Sequence, residues 1–173
     1  SYAVDSATQI TATTPAHAAG AADVAVTAPG GTATSIGAFT FVAPEGATSF
    51  YTVTPCRVVD TRSANGPLGG PILDASPAER TFTIAPGCGI PADAKVVSAN
   101  VTVTGGSAAG TLRFYPPDAT LPVATTISFS AGKTRANNAL LPLSTTGGTG
   151  RTTVRNDSAG PVHLIVDVNG YFR

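Results

Sequence analysis

The segment Val97-Ser98-Ala99-Asn100-Val101-Thr102-Val103-Thr104 alternates small apolar and polar side chains without a break. In an extended chain, successive side chains point to opposite faces, so this run describes one buried and one wetter face of a strand. Thr on the wetter face suits a pleated surface without adding charge. The same period recurs on either side of it. Leu112 and Phe114 alternate with Thr111, Arg113 and Tyr115, and Val162, Leu164, Val166 and Val168 alternate with His163, Ile165 and Asp167. No stretch of helical length keeps apolar residues at i, i+3, i+4 and i+7, and Gly or Pro interrupts nearly every window. The chain is therefore expected to be all-β.

Turn residues divide it into two β-sandwich modules in tandem. Residues 1–44 carry strand candidates at Gln9–Thr13, Ala22–Thr27 and Ala38–Val42, separated by Pro15–Gly20 and Pro29-Gly30-Gly31. Residues 45–49 read as a linker. Residues 50–173 carry roughly nine candidates: Phe50–Thr54, Arg57–Thr61, Arg80–Ala85, Lys95–Thr104, Thr111–Tyr115, Ala124–Ser130, Ala136–Leu143, Thr152–Asn156 and Val162–Val168. Their spacing suits a sandwich or barrel. The glycine-rich run Gly105–Gly110 reads as a hairpin turn.

Composition narrows the function. Ten basic and ten acidic residues cancel, and charged residues are only 12% of the 173, about half the usual share. Without a basic surplus, nucleic acid is not an expected partner. No apolar run reaches the roughly 20 residues of a membrane span. The cysteines are Cys56 and Cys88, with no His at metal-ligand spacing, and two thiols alone do not complete a tetrahedral zinc site. A Cys56–Cys88 disulfide is expected, and with it an oxidising, secreted setting. The chain opens at Ser1 in mid-pattern without a signal peptide, as expected of a processed or excerpted piece of a longer secreted protein.

Two resemblances follow from particular residues. Ile10-Thr11, Thr14-Pro15, Gly20, Val24, Val26, Pro29-Gly30-Gly31 and Phe39-Thr40-Phe41 resemble the second half of an IPT/TIG domain, an Ig-like module. That likeness covers nearly all of residues 1–44 and implies an incomplete sandwich lacking the family's first strands. Residues 50–172 look like a β-rich accessory module of secreted bacterial cell-wall amidases and other exported proteins. The likeness rests on Pro55-Cys56-Arg57-Val58-Val59-Asp60-Thr61-Arg62, Gly66-Pro67-Leu68, Gly89-Ile90-Pro91, Asn100-Val101-Thr102, Ala131-Gly132-Lys133-Thr134 with Asn137-Asn138, and the closing Val162–Phe172. It implies a secreted, non-catalytic part.

Catalysis finds little support in the residues. His163 and Asp167 share a strand face but lie about 13 Å apart along it, too far for a catalytic His–carboxylate hydrogen bond. There is no nucleophile elbow, and the acids sit mostly beside Pro, Gly or Ala in loops rather than in converging pairs. Gly132-Lys133-Thr134 lacks the upstream glycine of a phosphate loop, and no calcium-loop pattern occurs, so neither a cofactor nor a metal is expected. The remaining candidates are polar: Asp60, Arg62, Arg135, Asn137 and Asn138, with Tyr115 or Tyr171 as a stacking face. One reading is a glycan site. The other is a structural ion pair, such as Asp60 with Arg135, because charges are rarely buried unpaired.

The function expected is a non-catalytic extracellular structural or adhesive segment of a bacterial surface protein. Homo-oligomer or filament neighbours would be its partners, through addition of strands to the incomplete half. The alternative is a module binding glycan or cell-wall polysaccharide, appended to a secreted hydrolase. It requires Tyr115 and Tyr171 to converge with Asp60 and Arg135 in one concavity.

Overall fold

The computed structural model describes residues 1–18, 20–42 and 48–173. All regular structure among them is β, in two units, Ser1–Ala47 and Thr48–Arg173. Most of the expected linker at 45–49 lies outside the described residues. Ser49 belongs to the second unit, because it exchanges backbone hydrogen bonds with Arg173 at 3.0 and 3.3 Å.

The first unit has four strands, one more than the sequence predicts: β1 (Tyr2–Ser6), β2 (Gln9–Ala12), β3 (Gly20–Ala28) and β4 (Gly31–Phe41). They form two separate antiparallel pairs, β1 with β2 and β3 with β4. Pro29 and Gly30 lead into the β3–β4 turn, where Gly31 takes a φ of +133° that an L side chain rarely adopts. Almost every side chain here is exposed, including Tyr2, Val4, Ile10, Val24, Val26, Ile36 and Phe39. It is an incomplete sandwich.

The second unit is a complete one. Its strands are β5 (Phe50–Asp60), β6 (Ala78–Thr83), β7 (Val96–Thr104), β8 (Gly110–Tyr115), β9 (Ile127–Phe129), β10 (Arg135–Pro142), β11 (Arg151–Asn156) and β12 (His163–Phe172). One sheet runs in the order β10-β7-β12-β5 and the other β6-β11-β8-β9, all antiparallel. The alternation read from the sequence sets the inner faces. Val97, Ala99, Val101 and Val103 meet Leu164, Val166 and Val168 of the same sheet, and across the interior lie Phe82, Leu112, Phe114 and Val154. Burying each of these larger side chains contributes about 1.5–3 kcal/mol.

Eight strands replace the nine expected because Phe50–Thr54 and Arg57–Thr61 are one strand. Pro55 lies between the two expected strands, yet β5 is an edge strand, where a missing N–H is tolerated, and Pro55 falls in an irregularity of the β5–β12 ladder. Likewise β12 runs past Asn169-Gly170 to Phe172. Close approach favours Gly170 there: a Cβ would lie 2.8 Å from the Tyr51 carbonyl oxygen, besides meeting the Phe50 ring. The run Gly105–Gly110 is not a hairpin turn; it carries the chain from β7 in one sheet to β8 in the other.

The two sides of this sandwich differ. At the β5/β6 side, the expected Cys56–Cys88 disulfide ties β5 to the connection between β6 and β7. The long connection between β5 and β6 is drawn in by Arg80, whose guanidinium lies over the Phe82 ring and donates to the carbonyls of Gly66, Gly70 and Pro71. At the opposite side, β9 and β10 are the two edges, and the sheets are left open.

Candidate functional site

Polar side chains concentrate in three places on the sandwich. The first is the outer face of the β10-β7-β12-β5 sheet, where Asn138, Asn100, Asp167 and Arg57 stand in one row across four strands. Arg57 grips Asp167 with two hydrogen bonds, Nε to Oδ1 at 2.7 Å and Nη2 to Oδ2 at 3.1 Å. Arg62 grips Asp60 in the same bidentate way at 2.8 and 2.7 Å, and Arg57 reaches Asp60 at 3.4 Å. The Arg62 hydrogen bonds hold the Asp60 carboxyl far below the usual carboxylate range, against the opposing cost of burial.

Arg57 and Asp60 are three residues apart, a spacing that puts side chains on opposite faces of a regular strand. A bulge brings them together. Val59 pairs with Val166 and Arg57 with Asp167, so Val58 is the extra residue that resets the phase. Just beyond, buried Thr61 accepts the Leu164 N–H through Oγ1 at 2.8 Å and lies 3.2 Å from His163 Nδ1.

The second place is the outer face of the other sheet. Arg113 pairs with Asp157 at 2.6 and 2.8 Å, and Arg155 bridges Asp157 and Glu79 at 2.8 and 2.9 Å. Tyr115 packs beside them. Burial, and then its hydrogen bond with Glu79, push its hydroxyl above the ordinary value. Asp157 is held low chiefly by Arg113.

The third is a groove of about 550 Å3 at the open side, between β9 and the start of β10. Arg135 and Asn137 project into it from β10, opposite Thr125, Thr126, Ser128 and Ser130, with Ile127 and Phe129 beneath. Asn137 Nδ2 donates to the Thr126 carbonyl at 2.8 Å.

The candidates read from the sequence are thus dispersed. Asp60 and Arg62 meet, and Arg135 and Asn137 meet, but at opposite edges of one sheet. Asp60 stands in the ladder row of Ala136, three strand spacings or about 14 Å across. The expected Asp60–Arg135 pair is replaced by Asp60 with Arg62 and Arg57. Asn138 faces outward beside Asn100. Tyr115 lies on the other sheet, and Tyr171 stacks on Tyr51 with centroids 5.2 Å apart, beneath Arg173. Tyr115 and Tyr171 do not converge with Asp60 and Arg135. Residues outside the polar cluster expected from the sequence, Arg57, Asp167, Arg113, Arg155 and Asp157, make most of the ion pairs among the described residues. The alternating Arg155-Asn156-Asp157 was the available signal, since it puts opposite charges on one strand face.

No family model matches the chain, and no curated protein matches it. Among solved structures it is similar to the coat protein of tobacco streak virus, with 14% identity and a TM-score of 0.33 over 75% of this chain and 90% of that one. A likeness at that level carries no functional argument.

Proposed function

We propose that this chain is a non-catalytic extracellular structural segment of a bacterial surface protein, assembled into filaments by strand addition between copies. The observation that carries the reading is the exposure of the first unit. Both faces of β3–β4 and of β1–β2 are uncovered, with Val24, Val26 and Phe39 more than two-fifths exposed and Ile36 at 86%. Two-stranded ladders are marginal in water unless another layer covers them, and every strand of the unit has an edge ready to pair.

Charge favours a second copy as that layer. Residues 1–47 contain Asp5, Asp23 and Glu45 but no Lys or Arg, so the second unit holds all ten basic residues. An acidic, apolar unit meeting the basic unit of the next copy is a head-to-tail contact, and such contacts propagate into filaments unless they close. The disulfide supports an extracellular setting. The bidentate arginine–carboxylate pairs support a structural role, since they consume the carboxylates of both outer faces.

Electron microscopy of the oxidised chain, with light scattering across a concentration series, tests this. Regular fibres, lost in Ile36→Glu while the second unit melts unchanged, are the expected result. A monomer at every concentration, with no fibres, overturns it.

A further inference from the structure

We propose that the groove between β9 and β10 is a binding site for an anionic carbohydrate, a polyol carrying a carboxylate or a phosphate. The site stands on the second unit alone, so it holds or fails independently of filament formation.

The strongest indication is the behaviour of the arginines. There are eight, and seven are spent on the fold. Arg57, Arg62, Arg113 and Arg155 pair with carboxylates. Arg80 and Arg151 donate to backbone carbonyls, and Arg173 lies over Tyr51. Arg135 alone makes no side-chain hydrogen bond, ion pair or ring contact with the described residues, and it is exposed at the lip of the groove.

Among the described residues of the second unit, no carboxylate pairs with it. The strands that build this side, β7 to β10, contain no Asp or Glu, and none occurs between Asp118 and Asp157. Asp118 is itself engaged by Thr146 at 2.6 Å. Lys133, in the turn that carries the chain from one sheet to the other, adds a second cation close by in sequence. The field at this edge is therefore positive and unneutralised, and guanidinium is the side chain suited to bidentate capture of a carboxylate or phosphate.

The rest of the lining selects the class of ligand. Thr125, Ser128 and Ser130 offer hydroxyls that both donate and accept. Asn137 is fixed by its bond to the Thr126 carbonyl, which leaves Oδ1 as an acceptor without a partner among the described residues. Phe129 gives a small apolar floor. Hydroxyls, an amide and a cation over a narrow apolar strip exchange their water one for one with the hydroxyls and acid group of a sugar. An extended peptide fits less well, because β9 offers only three residues of ladder and the groove is lined mostly by hydroxyl, amide and guanidinium groups.

The test follows the Arg135 Nε–H and Asn137 side-chain amide signals by NMR, in the oxidised full chain, during titration with trigalacturonate, poly(glycerol phosphate) and cellotriose. One or both anionic probes are expected to shift these signals saturably, with cellotriose at least about tenfold weaker. Trigalacturonate acting alone assigns a uronic sugar, and poly(glycerol phosphate) acting alone assigns a phosphate-bearing wall polymer. Arg135→Ala should weaken binding about tenfold or more without changing the melting temperature, and Arg135→Lys should fall between. Three results overturn the proposal: no shift with either anion, equal response to cellotriose, or full affinity in Arg135→Ala.

Discussion

The two units draw on the same residues, with Val, Ala, Thr and Gly on antiparallel strands, and they differ in what the alternation accomplishes. In β7 the apolar positions Val97, Val101 and Val103 are wholly buried, whereas in β3 Val24 and Val26 stay nearly half exposed. The sequences of these strands are close in character, so propensity does not separate them. What separates them is the second layer. A sheet face becomes a core only when another sheet lies about 10 Å away, and β8, β11 and β6 supply that layer for β7 and β12. Alternation prepares a face for burial but does not bury it.

The largest break of that contrast comes from the core of the second unit. Phe82→Ala, at a position with no exposure, should cost about 3–5 kcal/mol and lower the main denaturant midpoint, read by circular dichroism. A smaller effect is expected from pH. Asp157 sits below its usual range in the folded state, so its contribution is present above the unfolded carboxylate value and is lost as pH falls through the folded one. Stability should hold from neutrality to about pH 5 and decline below about pH 4. Asp157→Asn should flatten that acid limb, which thermal melts across a pH series would show. The smallest effect belongs to the first unit: Val24→Ala should change the stability of the unassembled chain by no more than about 0.5 kcal/mol. A cost of several kcal/mol in the monomer would mean that this face is already covered.

Much of the architecture was legible because it depends on period two alone. The inner faces of β7, β8 and β12 lie where the alternation of Val97–Thr104, Leu112–Phe114 and Val162–Val168 puts them. The β5 boundary was not legible, because Pro55 reads as a breaker until its strand is known to be an edge. The polar clusters were less accessible still. Asp60 and Arg135 are plausible partners in a list of residues, but strand order places them at opposite edges of a sheet, and no local pattern encodes that order. Nor does the spacing of Arg57 and Asp60 announce the bulge at Val58 that turns both to one face. The signs of the charges were in the sequence; their neighbours were in the topology.

The pairing of β5 with β12 also determines how the second unit responds to tension. Phe50 faces Phe172 in one rung, and Tyr51 faces Tyr171 in the next, so pulling on Thr48 and Arg173 opens the ladder from one end, bond by bond, rather than shearing it as a block. Peeling of β5 from Phe50 to Pro55 frees roughly 20 Å of chain before the load arrives at Cys56. There the disulfide passes it directly to Cys88, and the intervening chain, with 32 positions separating the two cysteines, carries none of it. The bond therefore keeps residues 57–87 out of the extending chain and shortens the length that tension can draw from this end of the module.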